Sequence, residues 1–261
     1  MKTVSSIRLR RAQQRLERAR PYHTRLEELV SQLAGVTQGH PFLQERPARK
    51  TGLLLVTSDR GLCGGYNANL LRKADAFMRE HPGKKIAITG VGRKSLEFFR
   101  RRGVTLAGQQ TEVMSRPVID SARALAQGLT QRFADGETDA VYLLYSRFRS
   151  AVSQIPTVMS LLPVTRPEVT PTTQPAEYIF EPARPELLAT LLPRYIETLL
   201  MQALLESIAS EHGARMTAME SATTNASDMI DRLSLSMNRA RQATITTELM
   251  EIVSGAEALK G

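Results

Sequence analysis

The sequence is poor in the residues that cross-link or anchor a compact core. It has a single cysteine, Cys63, which excludes an internal disulfide framework and indicates a reducing compartment. Tryptophan is absent and aromatic residues make up only 5% of the chain. Because large hydrophobic anchors are this scarce, close packing of small residues between helices is favoured over a β-sandwich.

Motifs of common catalytic and metal sites are missing as well. The sequence contains no HExxH, no GxSxG and no paired cysteines, and its four histidines are scattered at positions 23, 40, 81 and 212. Without such ligand or nucleophile spacings we expect no catalytic centre, no cofactor and no metal. No run of 18 apolar residues occurs, so no membrane-spanning helix is expected. The basic start, residues 1–11, lacks the apolar segment of a secretory signal.

Positive charge is in excess. The formal net charge is +9 and the isoelectric point is near 10.0, which indicates an acidic partner such as nucleic acid, an anionic membrane or an acidic protein surface. Much of this charge lies on one segment near the start: Arg8, Arg10, Arg11, Arg15, Arg18, Arg20 and Arg25. These arginines form either a solvated helix face or an electrostatic contact surface.

Residues 1–34 have the apolar period of one long helix. Steps of three and four residues connect eight positions: Leu9, Ala12, Leu16, Ala19, His23, Leu26, Val30 and Leu33. Pro21 is expected to interrupt and bend this helix. His23 is interpreted as a packed histidine, because no second histidine or cysteine lies at ligand spacing from it.

The C-terminal stretch, residues 186–261, predicts a second and longer helix. It has no proline after Pro193, and a helix of roughly 65–75 residues would be about 100 Å long. Its coiled-coil stripe is Met219, Ala222, Ala226, Met229, Leu233, Ser236, Ala240, Ala243, Thr247 and Met250. Near the end a second apolar line joins it: Ile245, Leu249, Ile252, Ala256 and Leu259. This end is therefore apolar on more than one face, as expected if something outside the chain surrounds it.

Matching stripes at the two ends predict an antiparallel coiled coil, with a long helix in an ordinary bundle as the alternative. Between them the period changes to short apolar runs that alternate with helical segments. Strands are predicted at residues 53–57, 85–89, 104–106 and 139–148, with one or two edge strands within 149–163. Residues 52–163 thus predict a small Rossmann-like α/β domain with a mostly parallel sheet, and residues 164–185 a proline-rich connection. The fold class is α/β, with this domain inserted into a long antiparallel coiled coil of N- and C-terminal helices.

The loop at residues 58–67, SDRGLCGGYN, lies between a strand and a helix, where phosphate loops and nucleophile elbows occur. It lacks the Gly-Lys-Ser/Thr of a Walker A loop and the GxGxxG of a dinucleotide site. Cys63 could act as a thiol nucleophile at a helix N-terminus, but no histidine is near in sequence to serve as its base. We interpret the glycines as permitting a tight turn.

Several longer motifs together resemble one family, the gamma subunit of F-type ATP synthase. They are LRRAQ at 9–13, ARPY at 19–22, SDRGLCGGYNANLL at 58–71, YIFEP at 178–182, and the stretch from RYIETLL at 194 to residue 259. The segment ITTELMEIVSGA, residues 245–256, is similar to the C-terminal signature of the family. The resemblance extends across essentially the whole chain.

The resemblance implies a non-catalytic rotor that transmits rotation between the membrane c-ring and the catalytic hexamer of alpha and beta subunits. Its implied partners are the alpha and beta subunits, the epsilon subunit and the c-ring, on the cytoplasmic face of the bacterial plasma membrane. Contact with the beta subunit is implied for Arg241, Gln242, Thr246 and Glu248. Family members carry about 20 further helical residues, or about 30 Å of helix, before the segment matched by Met1. A basic coiled-coil nucleic-acid-binding protein is the alternative, although recognition motifs and stacking aromatics are lacking.

Overall fold

A computed structural model describes residues 1–34, 40–113, 118–165 and 181–259 of the chain. The chain divides into two units, Met1–Thr217 and Ala218–Gly261. Its elements, in order, are α1 (Lys2–Ala34), a short 3-10 turn (Pro41–Leu43), β1 (Lys50–Val56), α2 (Tyr66–Glu80), β2 (Lys85–Val91), α3 (Arg93–Arg101), β3 (Gly108–Gln110), α4 (Val118–Ala134), β4 (Ala140–Phe148), β5 (Gln154–Leu162) and α5 (Arg184–Ala258).

The first unit contains a five-stranded sheet in the order β3-β2-β1-β4-β5. The first four strands in this order are parallel, with Lys50 opposite Lys85 and Thr51 opposite Ala140. The edge strand β5 runs antiparallel to β4. Parallel strands connected through helices bury both of their faces, which accounts for the uninterrupted apolar run at residues 53–56. The predicted α/β fold class with a long C-terminal helix is confirmed.

Alternate residues of β1 belong to two different cores. Leu53 and Leu55 face α2 and α3, where they pack in a cluster that includes Leu70, Phe77 and Phe99. Leu54 and Val56 face the opposite side of the sheet, which α4, α1 and α5 cover. The period of two along the strand thus divides the apolar residues between the two faces.

Helix α1 packs along α5 with the stripe that the sequence predicts. Of the eight residues of this stripe, five are buried (Leu9, Ala12, Leu26, Val30 and Leu33) and the other three are half-buried. The two helices are antiparallel, because Ala12 and Ile208 line one cavity whereas His23 stacks on Tyr195 with ring centroids 6.3 Å apart. Pro21 lies on the exposed side and helix α1 continues through it, so the predicted interruption is absent.

Two details differ from the prediction. Helix α1 packs against the apolar residues of α5 between Leu188 and Ala209, whereas the coiled-coil stripe of α5 begins only at Met219.

The third strand lies at Gly108–Gln110 and not at 104–106. Here Gly103, with φ of +68°, ends α3, and the Val104 amide donates to the Phe99 carbonyl oxygen. Val104 is therefore used in the turn that closes the helix, and the strand begins only at Gly108. The predicted proline-rich connection lies mostly outside the described residues.

Candidate functional site

Helix α5 is enclosed where it passes through the first unit. All residues from Ala203 to Glu211 are buried, so every side of the helix is covered there. Three hydrogen bonds hold it to its neighbours: the Tyr66 hydroxyl donates to the Ser207 carbonyl oxygen (3.3 Å), the Ser210 hydroxyl donates to the Ser146 carbonyl oxygen (3.0 Å), and the Phe148 amide donates to the Glu206 carboxylate (3.3 Å). These bonds connect α5 to α2 and to the end of β4.

A buried ion pair on α5 adds to the contacts between this helix and the first unit. The Arg215 guanidinium lies 2.6 Å from the Glu211 carboxylate, and the two side chains are only 9% and 8% exposed. Arg215 also donates to the Gly61 carbonyl oxygen, from Nη2 at 3.1 Å and from Nε at 3.3 Å. Burial raises the pKa of Glu211, and the neighbouring charge of Arg215 opposes that rise. Burial and the positive charges of Arg215 and Arg8 lower the pKa of His212 to about 4.

These contacts occupy the position where folds of this topology usually bind ligands. In parallel sheets with the strand order 3-2-1-4-5, the ligand crevice lies outside the carboxyl ends of β1 and β4. Here Arg215 donates to the loop that follows β1, and the Ser210 hydroxyl donates to the carbonyl oxygen of Ser146 near the end of β4. Helix α5 itself therefore fills the crevice, and the contacts at this edge of the sheet hold α5 in place.

The environment of Cys63 does not support a thiol enzyme. The side chain is 2% exposed, and the Asn67 side-chain amide donates to Sγ at 3.2 Å. Burial raises the pKa of the Cys63 thiol, whereas a nucleophilic cysteine needs a lowered pKa. The neighbouring Leu62 is 64% exposed and has a φ of +61°. Among the residues that the structure describes, no group of three histidine, cysteine or acidic side chains could hold a metal ion.

The second unit is a single helical segment, the part of α5 from Ala218 to its end. Every described residue from Glu220 to Leu259 is exposed. Eleven large apolar side chains are among them: Met229, Ile230, Leu233, Leu235, Met237, Ile245, Leu249, Met250, Ile252, Val253 and Leu259. A helix that presents this much apolar surface is typical of one that packs against another protein.

The four residues predicted to contact the beta subunit all lie in this segment. Arg241 and Glu248 are seven residues apart, so they share one side of the helix. Gln242 and Thr246 are four residues apart and lie about 100–140° around the axis from Arg241. The Thr246 hydroxyl donates to the Gln242 carbonyl oxygen at 2.8 Å.

The apolar line that begins at Ile245 runs between these two polar pairs. At about 100° per residue, Ile245, Leu249 and Ile252 lie about 20–80° from Arg241, between its side of the helix and that of Gln242. All three are at least 49% exposed. The segment therefore presents an apolar centre with polar residues on both borders, which is the usual arrangement of a protein interface.

The prediction from sequence did not identify the residues that clamp α5. Glu211 and Arg215 are separated by four residues within a stretch whose other members are mostly apolar or small. A charged pair at this spacing in a buried stretch is a signal for an internal ion pair. The partners in the loop after β1 could not be assigned in this way, because they are about 150 residues distant in the chain.

The architecture described above is that of an ATP synthase central stalk. A chain from the central stalk and c-ring of the Tetrahymena thermophila mitochondrial ATP synthase superposes with a TM-score of 0.65, covers 85% of this chain and 97% of its own, and is 24% identical. A chain of the Euglena gracilis mitochondrial ATP synthase superposes with a TM-score of 0.63, covers 96% and 94%, and is 18% identical. At these identities the similarity establishes the fold.

Sequence comparison identifies the family. The model of the ATP synthase family matches residues 1–259. The ATP synthase gamma chain of Pelotomaculum thermopropionicum is 48% identical over 262 residues, covering 100% of this chain and 92% of the relative. That of Geobacter metallireducens is 49% identical over 265 residues, with the same two shares. The chain belongs to the ATP synthase gamma chain family.

Family membership confirms the resemblance and the predicted role as the central-stalk rotor subunit of ATP synthase. The comparisons and the described residues lend no support to the alternative of a nucleic-acid-binding protein. No helix in the described part of the chain has the length and apolar content needed to cross a lipid bilayer.

Proposed function

We propose that this chain is a rotor without catalytic chemistry of its own, which transmits rotation between a membrane c-ring and a hexamer of alpha and beta subunits. The observation that carries the proposal is the helical segment 220–259, whose residues are all exposed and include eleven large apolar side chains. Burial of a Leu, Ile or Met side chain contributes about 1.5–3 kcal/mol. A binding partner that covers these side chains would therefore gain a large stabilisation.

The distribution of the apolar residues favours a partner that encloses the helix. The line from Ile245 to Leu259 and the stripe residues Ala243, Thr247 and Met250 lie on different sides of α5, and the centres of the two sets are about 160–170° apart around the helix axis. A helix that docks into one groove needs a single apolar side. Apolar residues on opposite sides suit a ring of subunits around the helix, and the alpha and beta subunits of the synthase would supply that ring.

Within this ring we assign the contact with the beta subunit to Arg241, Gln242, Thr246 and Glu248. The Arg241 guanidinium is exposed and can bind a carboxylate through two parallel hydrogen bonds. Glu248 on the same side of the helix would pair with a cationic group. Polar contacts at the border of an apolar centre determine register more than affinity, so these residues would determine which orientation of the shaft each beta subunit recognises.

Rotation requires that torque on the first unit reaches α5 without loss. The hydrogen bonds of Ser207, Ser210 and Arg215 to α2, β4 and the loop after β1 would resist rotation of the helix within its surroundings. An asymmetric shaft then shifts the conformations of the catalytic sites because it contacts their states unequally. We place the epsilon subunit and the c-ring at the α/β part of the chain, on the cytoplasmic face of a bacterial plasma membrane.

Reconstitution tests this function. The full chain is expressed together with the alpha and beta subunits of a bacterial relative, and ATP hydrolysis is measured with and without the chain. We expect a stoichiometric complex in which the chain stimulates hydrolysis, because enclosure of the exposed helix drives assembly. A mixture in which alpha and beta subunits assemble and hydrolyse ATP equally well without the chain, and from which the chain separates, would contradict the proposal.

Arg241→Ala tests the assigned contact. Because Arg241 is exposed in the chain, its loss should leave folding unchanged, while the missing charge-assisted pair lowers coupled ATP turnover by about tenfold. Arg232→Ala is the matched control, since Arg232 is also exposed and lies about 13 Å along the helix before Arg241. We expect the control to retain most of its turnover. Equal losses in both variants, or a loss of assembly that parallels the loss of turnover, would point to a general packing role instead.

A further inference from the structure

A cavity of about 420 Å³ lies in the first unit at the carboxyl ends of β1 and β2. Five arginines line it: Arg8, Arg11 and Arg15 from α1, Arg60 from the loop after β1, and Arg93 from the start of α3. The α1 residues follow one another at spacings of three and four, so they project from one side of that helix. This cavity is separate from the segment 220–259 that carries the proposed rotor contacts.

The carboxylates around this cavity already have partners within the chain. Asp59 accepts hydrogen bonds from the backbone amides of Arg93 (3.0 Å) and Glu112 (3.1 Å). Glu112 pairs with the Arg93 guanidinium at 3.2 Å. Glu211 pairs with Arg215 at 2.6 Å. Because five arginines and three carboxylates line the cavity, its lining keeps an excess of positive charge.

Four arginines around the cavity have no salt-bridge partner among the residues that the structure describes. Within the described ranges of the chain, Arg8, Arg11, Arg15 and Arg60 form no ion pair. Like charges that converge on one cavity repel one another, and a bound anion relieves that repulsion. The pKa of the adjacent His212 is consistent with this excess of positive charge. Burial lowers it to about 4, and the positive charges of Arg215 and Arg8 add to that lowering.

We propose that this cavity binds a small anion that carries more than one phosphate group. Arginine guanidinium groups bind phosphate oxygens through paired hydrogen bonds, and four of them converge here from two separate segments. The volume is within the range of about 300–1,000 Å³ typical of small-ligand sites. Free pyrophosphate and the phosphate chain of a nucleotide share this chemistry.

Titration of the full-length chain with inorganic pyrophosphate tests the proposal. Calorimetry should give one site per chain, and pyrophosphate should raise the midpoint of thermal unfolding above that in potassium chloride of equal ionic strength. The variant R11Q/R15Q should bind about tenfold or more weakly, because each guanidinium contributes charge-assisted bonds. The control R10Q/R18Q removes the same charge from exposed positions of α1 that do not line the cavity. It should keep its affinity within about twofold, which is the range expected from long-range charge alone.

Titrations with ATP and ADP distinguish the two sources of the ligand. Nucleotide binding tighter than pyrophosphate binding identifies a nucleotide site, and the reverse order identifies a free polyphosphate site; both support the proposal. It would be overturned by a thermal shift equal to that in potassium chloride, or by equal weakening in R11Q/R15Q and R10Q/R18Q. Binding of an acidic peptide without any binding of pyrophosphate would also overturn it. Because the chain is measured without alpha and beta subunits, none of these results bears on the rotor function.

Discussion

Replacement of Ile245, Leu249 and Ile252 by glutamine is expected to abolish assembly with alpha and beta subunits while the isolated chain stays folded. All three side chains are exposed in the chain, so they contribute little to its own stability. Each would contribute about 2 kcal/mol when enclosed by partner subunits. Because 1.4 kcal/mol corresponds to about a factor of ten in affinity, the triple variant should bind more than about a thousandfold more weakly.

Co-purification and ATPase assays measure this loss, and circular dichroism checks the helix. Glutamine has nearly the helix propensity of leucine, so a loss of assembly would not reflect a loss of helix. The conservative triple variant with valine at 245, methionine at 249 and valine at 252 keeps the apolar surface and should assemble normally. Full assembly and turnover of the glutamine variant would rule out enclosure of this apolar line by the partner subunits.

Arg215→Met is expected to have the largest effect on stability. The Arg215 side chain is 9% exposed and pairs with Glu211, which is 8% exposed, and it also satisfies the Gly61 carbonyl oxygen. Removal of one partner of such a pair leaves a buried charge without compensation, which lowers the free energy of unfolding by about 3–5 kcal/mol. Urea denaturation at pH 7 measures this change.

The pH dependence of the Arg215→Met effect separates charge from packing. Burial already raises the pKa of Glu211 in the folded chain. Below the pKa of the unfolded chain the carboxyl is protonated in both states and costs no stability. As the pH rises through the folded pKa, the buried carboxyl ionises and the free energy of unfolding falls. Loss of Arg215 raises that folded pKa further. The destabilisation should therefore be smaller at pH 5 than at pH 7.

A second variant provides the control for this pair. Glu211→Gln combined with Arg215→Met removes both charges and should recover part of the lost stability, because no unpaired carboxylate remains buried. It should also lose the part of the pH dependence that the Glu211 carboxyl causes, and what remains between pH 5 and pH 7 comes from other groups such as His212, whose pKa in the folded chain is about 4. A loss in Arg215→Met that is independent of pH and undiminished in the double variant would mean that the arginine acts through its packing alone.

The periodicity of apolar residues predicted the helices and strands that bury a regular pattern of side chains along their length. The 3-4 spacing from Leu9 to Leu33 identified the face of α1 that is buried, and the apolar run at Leu53 identified β1. The loop at residues 58–67, which the sequence placed between a strand and a helix, ends where α2 begins at Tyr66. The third strand was misplaced because residues 104–106 are apolar enough for a strand, but Val104 is used in the turn that follows Gly103 and strand pairing with β2 begins only at Gly108.

The sequence by itself determined the two long helices, the class of the inserted domain and, through its motifs, the family. These properties rest on local patterns, because a period of 3.6 or 2 and a motif of adjacent residues are written along the chain. Only the tertiary structure decided that α1 packs against the Leu188–Ala209 part of α5, that α5 fills the crevice of the sheet, and that arginines from α1 and the loop after β1 meet at one cavity. Those contacts join residues as many as about 150 to 200 positions apart, and no local period records which distant surfaces meet when the chain buries its apolar area.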